Sequence, residues 1–222
     1  MSHSPLAATI VFYAGPVPVT ETVITTWALM AALTIACALA TRRLTVIPTG
    51  LQAMVETLVE GIGGQVRSII DRDPWHFMPV LATLFIFLVT ANLSGLLPGV
   101  RAPTASIETP AALATVVFFS VHVYGVWLNG LGGYLKGYLK PNPVMLPLNI
   151  LSEFTRSFSL MMRLFGNIMS GELVLGIIVA LAGLFVPIPF MLFEILVGLI
   201  QAYIFSVLAA VYIGGAVGTM EK

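Results

Sequence analysis

Long runs of hydrophobic residues dominate the pattern along this 222-residue chain. A helix needs about 20 apolar residues to cross a hydrocarbon core about 30 Å thick. The first two thirds of the chain contain runs of that length, with prolines at or beyond their ends: Pro48, Pro74, Pro98 and Pro110. The pattern therefore predicts membrane spans at residues 20–41, 76–98 and 109–130.

Residues 50–72 follow a different pattern, because apolar residues recur there at helical spacing opposite Gln52, Glu56, Glu60 and Arg67. This spacing predicts an amphipathic helix. Such a helix either lies on the membrane surface or packs against the neighbouring spans. The pattern is compatible with both arrangements.

The last third of the chain is more continuously apolar. Residues 144–186 contain one proline, Pro147, near the start, and as a single helix they would be about 65 Å long, about twice a normal span. The helix therefore either tilts strongly or breaks near one of its glycines, Gly166, Gly171 or Gly176. Pro187 and Pro189 predict a turn, and residues 190–218 predict a second long helix. The chain is thus expected to end in a helical hairpin and to make about five membrane passes.

Composition supports an all-α, polytopic membrane protein. Hydrophobic residues make up 58% of the chain and charged residues 9%, whereas a soluble domain carries about 25% charge. The net charge of zero argues against binding to nucleic acid. The motifs of phosphate-binding loops, dinucleotide-binding turns, nucleophile elbows and zinc-binding helices are absent, so we expect no direct nucleotide binding and no catalysis by this chain alone. One cysteine, Cys37, and no Cys/His cluster give no reason to expect a disulfide, a metal or a cofactor.

Basic residues outside the hairpin are distributed unevenly across the predicted spans. Arg101 stands alone on one side, and the other side carries Arg42, Arg43, Arg67, Arg72, Lys136, Lys140 and Lys222. The positive-inside rule places the larger group in the cytoplasm, with the N-terminus outside and the C-terminus inside. Residues 1–19 then form an outer segment. They contain no Lys or Arg and are interrupted by Pro16 and Pro18, so a removable signal peptide is not expected.

The predicted hairpin carries five charged residues: Glu153, Arg156, Arg163 and Glu172 on the first arm and Glu194 on the second. A charge at the centre of a membrane helix costs about 2.5–3.5 kcal/mol even on insertion scales, so such residues usually line a pathway or face a partner. At about 100° per residue, one stripe of the first arm contains Asn149, Glu153, Arg156, Ser159, Arg163, Asn167 and Ser170. The second arm likewise places Glu194, Gln201 and Tyr212 on one face.

Structural roles compete with functional ones for most of these residues. Glu153 and Arg156 are three positions apart and can form an ion pair, and Glu172 and Glu194 can form a protonated or hydrogen-bonded pair that fixes the hairpin. Arg163 lacks such an explanation, because its apolar neighbours offer no anion and its guanidinium cannot lose its proton. Neutral polar residues can also have structural roles. Hydrogen bonds between helices are a role for Ser159, Ser170 and Gln201, and capping of a helix end is a role for Asn92 and Ser94.

The run Ser159-Leu160-Met161-Met162-Arg163-Leu164-Phe165-Gly166-Asn167, followed by Gly171-Glu172-Leu173, resembles the signature of subunit a of F-type rotary ATP synthases. Further segments are similar to the same family, particularly its bacterial and chloroplast members: Leu146-Pro147-Leu148-Asn149-Ile150-Leu151 with Glu153-Phe154-Thr155, Gln201-Ala202-Tyr203-Ile204-Phe205, and Asn92-Leu93-Ser94-Gly95-Leu96-Leu97-Pro98. The resemblance covers most of the chain from about Pro48 onward.

The resemblance implies a stator subunit in a bacterial inner membrane, whose hairpin curves against a rotating ring of c subunits. Its other partners would be b-type peripheral-stalk subunits, the remaining complex and membrane lipid. Arg163 matches the essential arginine that separates two aqueous half-channels and meets each carboxylate of the ring. Residues matching the outer half-channel are Asn167, Glu172, Glu194 and Gln201. Residues matching the inner one are Ser159 and Tyr212, with Glu153 and Arg156 as further inner contributors.

The chain departs from the family at one pair of positions, because the family often has one carboxyl and one His or neutral group where this chain has Glu172 and Glu194. Two close carboxyls tend to share a proton, and they equally suit Na⁺. From the sequence, the coupling ion is therefore either H⁺ or Na⁺.

Two other functions remain open from the residues alone. A self-contained secondary transporter or channel would use Arg163 to bind an anionic substrate, although such transporters often show two repeats, which this sequence lacks. A purely structural scaffold would leave the five charges of the hairpin without a purpose.

Overall fold

The computed structural model describes residues 10–14, 17–42, 50–70, 73–96, 102–139, 143–183 and 185–218. Over these residues the fold is built mainly from six α-helices, which confirms the expected helical membrane architecture: α1 Glu21–Ala40, α2 Leu51–Ile69, α3 Met78–Ser94, α4 Glu108–Leu139, α5 Leu146–Ala182 and α6 Pro187–Gly218. Within this part of the chain, α1, α4, α5 and α6 are long and apolar enough to cross a membrane. Helix α3 is apolar but shorter, with 17 residues, so five passes remain a prediction.

A short antiparallel hairpin, absent from the sequence-based expectation, precedes α1. Strand β1, Ile10–Ala14, pairs with strand β2, Val17–Thr20. Both segments are rich in β-branched and aromatic residues, which favour strands. The hydroxyl of Thr20 donates a hydrogen bond to Glu108 at the start of α4, 2.7 Å away. This contact ties the hairpin to the bundle.

Helix α6 lies at the centre of the bundle and packs against α3, α4 and α5. Ala202, Phe205, Ala209 and Ile213 recur every three to four positions and form its fully buried edge. The alanines let neighbouring backbones approach closely, which is how helices gain van der Waals contact inside a membrane. The facing core residues are Leu81 and Leu88 of α3, Val117 and Val121 of α4, and Leu160 and Leu164 of α5.

Helix α2 is amphipathic and also packs on the spans. Val66 near its end and Ile70 just beyond it are each 3% exposed and belong to the core, and α2 contacts both α3 and α6. Glu56, Glu60 and Arg67 are exposed on the other face. By contrast, α1 lies at the periphery, since none of its residues is buried.

The hairpin arms decide between the two alternatives for the first arm and place the turn differently from the expectation. Helix α5 is continuous for 37 residues, about 55 Å, so the alternative with a break at its glycines is wrong. The turn was expected at Pro187 and Pro189, whereas α6 begins at Pro187 and the chain reverses just before it. Proline suits the first turn of a helix, where no backbone donor is needed. The reversal uses Gly183 instead, at φ 73°.

Helix α4 is made of two helical segments that meet at Gly130. Gly130 breaks the helical geometry with φ 69° and ψ 158°, a conformation that glycine adopts readily. The chain then folds back, so that the ring of Tyr134 lies directly against Gly125 and edge-on to His122. Tyr134 is buried as a result. A side chain at position 125 would occupy the space that its ring fills.

We predict that Gly125→Ala destabilises the protein, because the added methyl meets the Tyr134 ring, with the built Cβ 2.8 Å from Cδ2. Overpacking of this kind costs about 1–3 kcal/mol. The thermal midpoint of the purified complex should fall by a few degrees. Gly132→Ala is the matched control, since nothing lies within 4 Å of its Cβ position. Equal midpoints for the two variants would contradict the tight contact.

Candidate functional site

The candidate site lies along the seam between α5 and α6. Leu160 and Leu164 of α5 are fully buried and Ile168 nearly so. These three residues hold one edge of the helix against the bundle and leave its other face exposed. The polar stripe expected from the sequence lies outside this buried edge. The side chains of the stripe therefore either contact α6 or point away from the bundle.

Arg163 is exposed on the outward face of α5. Among the described residues, no hydrogen bond or ion pair holds its guanidinium. Gly166, one turn further along, has nothing within 4 Å of its Cβ position, so the surface next to Arg163 is open. The side chain is therefore free to meet a group that another molecule supplies.

Asn167 connects the two arms one turn beyond Arg163. Its Nδ2 donates a hydrogen bond to Oε1 of Gln201 on α6, 2.8 Å away. Gln201 is only 2% exposed, and its Nε2 atom is buried without a partner among the described residues. A buried amide donor normally finds an acceptor, protein or water. The position is thus suited to a bound water beside the seam.

Glu172 and Glu194 come together further along the hairpin. The carboxylate of Glu194 lies against Gly171, the neighbour of Glu172, so closely that a Cβ at position 171 would collide with its Oε1. The two carboxyl groups are near enough to interact electrostatically. Both side chains are half-buried. Glycine at position 171 is what allows this close approach.

The loop of residues 102–107 also contacts Glu172. The backbone N–H of Ala102 donates to Oε1 of Glu172 at 3.2 Å. Thr104, fully buried, donates to Oδ1 of Asn92 on α3 at 2.9 Å. The Nδ2 of Asn92 donates in turn to the carbonyl of Gly198 on α6, also at 2.9 Å. Loop, α3 and α6 are thereby connected by buried hydrogen bonds.

Asn92 was expected to cap the end of its span, and this expectation is wrong. The residue lies inside α3, and its side chain spans to α6 and to the loop. Ser94 donates to the carbonyl of Ala91 in its own helix instead. The available signal was an asparagine within an apolar run, which favours a hydrogen bond between helices. Thr104 carries no comparable signal in the sequence.

The other end of the seam holds a second polar set. The guanidinium of Arg156 lies over the ring of Tyr212 on α6, 5.5 Å from its centroid, and its Nη1 is 3.9 Å from Oε1 of Glu153. The expected Glu153–Arg156 pair therefore forms. A cavity of about 440 Å³ opens here, lined by Leu148, Leu151, Ser152, Thr155, Arg156, Ser159 and Tyr212. Ser159 is one turn before Arg163.

The site divides into an outer set near Glu172 and an inner set near Arg156, with Arg163 between them. On a straight helix Arg163 is about 6 Å from Ser159 and about 13 Å from Glu172 along the axis. No group of three or more metal-ligating side chains occurs in the described ranges. The side chains named here offer carboxyl groups, amides, hydroxyls and the guanidinium cations of Arg156 and Arg163.

The sequence comparisons decide between the open alternatives, since residues 23–214 match the family model described as ATP synthase A chain. The chain belongs to this family. The resemblance of the Arg163 segment to subunit a of F-type ATP synthases is thus confirmed. The matched range covers both arms of the hairpin and every residue assigned to the site.

Individual family members are similar over nearly the whole chain. ATP synthase subunit a 2 of Bradyrhizobium sp. (strain BTAi1 / ATCC BAA-1182) is 61% identical over 222 residues, which is 100% of both chains. ATP synthase subunit a 1 of Hahella chejuensis is 46% identical over 202 residues, 91% of this chain and 86% of the relative. ATP synthase subunit a 2 of Picosynechococcus sp. is 44% identical over 216 residues, 96% and 93% of the two chains.

We predict that the Asn167–Gln201 hydrogen bond acts as one unit. Asn167→Leu and Gln201→Leu should each slow ATP-driven ion uptake into vesicles containing the whole complex, by about three- to tenfold. Residues in direct contact show interaction energies of about 0.5–3 kcal/mol, so the double variant should be little slower than either single one.

Asn129→Leu provides the control for this cycle. Its Nδ2 donates to the carbonyl of Ala216 near the other end of α6, far along the helix from Gln201. Its effect should combine additively with that of Asn167→Leu. Additive losses for Asn167→Leu and Gln201→Leu would contradict the predicted coupling.

Proposed function

We propose that this chain is the ion-conducting stator subunit in the membrane sector of an F-type ATP synthase, with ATP chemistry performed by other subunits. The observation that carries the proposal is Arg163: a permanent cation on the open face of a membrane helix, without a partner in the described chain, between two separate polar sets. A charge placed there at such cost normally serves a pathway or a partner.

The outer set would conduct ions toward the partner. Glu194 and Glu172 supply carboxyl groups that can bind and release a proton, and the hydrogen-bonded amides of Gln201 and Asn167 continue the polar path toward Arg163. Acidic side chains in membrane proteins commonly form such relays. The ion would then pass to a carboxylate of a neighbouring c subunit, since α5 has no acidic residue between Glu153 and Glu172.

Arg163 would keep the two half-channels apart. Its guanidinium stays charged at any physiological pH, so it repels a free cation and favours the ionised form of a carboxyl that arrives beside it. A ring carboxyl that meets Arg163 therefore gives up its ion. The inner cavity around Ser159, Arg156 and Tyr212 provides a polar exit for it.

The partners and the orientation follow from the same arrangement. The open face of α5 around Arg163 and Gly166 would contact the c-ring, and peripheral-stalk b-type subunits would hold the chain against rotation. The N-terminus would lie outside and the C-terminus in the cytoplasm of a bacterial inner membrane, as the exposed Arg67 and Lys136 on the predicted cytoplasmic side support. Protons are the proposed coupling ion.

Arg163→Ala should abolish ATP-driven ion uptake while leaving the complex assembled, because the buried edge of α5 does not include this residue. Uptake would be measured in vesicles containing the whole complex, with an uncoupler as control. Arg67→Ala removes an equally exposed arginine from α2 and should behave like the wild type. Uptake at the wild-type rate in an intact Arg163→Ala complex would overturn the stator role.

Glu172→Gln and Glu194→Gln should each slow uptake, by at least about tenfold for the more important carboxyl, since an amide cannot carry a proton as a carboxyl does. Glu60→Gln on the exposed face of α2 is the matched control. Uptake would be followed with and without Na⁺. If uptake by the wild type needs Na⁺ and is insensitive to the uncoupler, the coupling ion is Na⁺ and not H⁺. Unchanged rates and pH dependence in both variants would remove the two residues from the pathway.

A further inference from the structure

The loop of residues 102–107 packs unusually closely on the end of α3. A Cβ on Gly95 would lie 2.8 Å from the Cβ of Ala102, and Ala102, Pro103 and Thr104 are all buried. Such close packing fixes the backbone of the loop, and with it the N–H of Ala102 that donates to Glu172.

Buried hydrogen bonds hold the loop in this position. The hydroxyl of Thr104 and the amide of Asn92 form a chain that ends on the carbonyl of Gly198 in α6. Gly198 also lies close to Asn92, because a Cβ built on Gly198 would be 3.2 Å from the Cβ of Asn92. Breaking one link would leave a buried polar atom unsatisfied, so the three groups are expected to stay together.

The acidic pair is thus held from two sides. Glu194 approaches Glu172 from α6, while the loop contributes only a backbone donor, because residues 102–107 carry no charged side chain. The neighbouring part of α3, residues 91–96, is also uncharged, and Glu108 at the start of α4 is bonded to Thr20. Glu194 and the Ala102 N–H are thus two of the groups that contact the surroundings of Glu172 in the described part of the chain.

We propose that Thr104 and Asn92 are positioning residues for ion transport: they hold the loop so that the Ala102 N–H fixes the carboxylate of Glu172 in the outer half-channel. This inference rests on the proposed function, since it requires ions to pass Glu172. The loop then acts through its backbone. Its side chains need not touch the ion.

Ala102→Pro tests the inference most directly. Ala102 has φ −59°, which proline also adopts, so the substitution removes the N–H donor with little change in backbone geometry. Thr104→Val is the second variant, because it removes the hydroxyl at nearly constant shape. ATP synthesis by the whole complex in proteoliposomes would be measured against the pH of the outer side, with the pH of the ATP side constant.

Both variants should lower the rate about threefold or more and move the outer pH of half-maximal synthesis by about half a unit or more, because a hydrogen bond to a carboxylate affects its protonation on this scale. Thr104→Ser should restore the wild-type profile. Thr109→Val is the matched control: Thr109 is also buried, but its hydroxyl contacts Thr26 on α1. It should leave the profile unchanged.

Glu172→Gln separates this inference from the proposed function. If Thr104 acts through Glu172, then Thr104→Val should not shift the profile further in a Glu172→Gln background. Suppose that Glu172→Gln impairs ATP synthesis but Ala102→Pro and Thr104→Val leave its dependence on outer pH unshifted. This result would overturn the inference and would leave the proposed function intact. Loss of assembly in both variants would assign the loop a purely structural role and also overturn it. A Glu172→Gln complex indistinguishable from the wild type would instead remove Glu172 from the pathway.

Discussion

A positive charge that cannot be neutralised is the constraint on which this structure depends. The guanidinium of Arg163 keeps its proton, and the described chain offers it no anion, although it belongs to a helix apolar enough to cross a membrane. The fold must therefore keep α5 continuous and stable without using the face that carries Arg163. Leu160, Leu164 and Ile168 do this from the buried edge.

Helix α6 provides the rigid surface that this arrangement needs. Its alanines allow α3, α4 and α5 to approach closely, so that buried polar groups on different helices come within hydrogen-bonding distance. Gln201 can be buried because Asn167 reaches it, and Asn92 because Gly198 leaves its carbonyl accessible. The apolar packing and the polar seam are thus two consequences of the same small residues.

The sequence was sufficient to predict the features that depend on local pattern. The length of the apolar runs and the spacing of apolar residues predicted the helices. Helical spacing also predicted that Glu194, Gln201 and Tyr212 would share a face. Thr104 could not be found in this way, because its importance comes from contact with Asn92, 12 positions away in the chain. The second helical segment of α4 was not predicted, because Gly132 and Gly133 follow Gly130 and glycine disfavours helices. The roles of the site residues are still predictions.

The two polar sets on the seam between α5 and α6 are separated by a stretch that has no carboxyl group. Between Ser159 and Glu172 the only charged residue of α5 is Arg163, and between Glu194 and Tyr212 helix α6 has no Asp, Glu or His. A cation moving along the seam would have to pass a fixed positive charge with no carboxylate beside it. In the proposed mechanism, the ion would therefore move between the sets on a carboxyl from outside the chain, which takes it up on one side and leaves with it. A stationary subunit beside a ring of moving carboxyls fits this mechanism better than a self-contained channel.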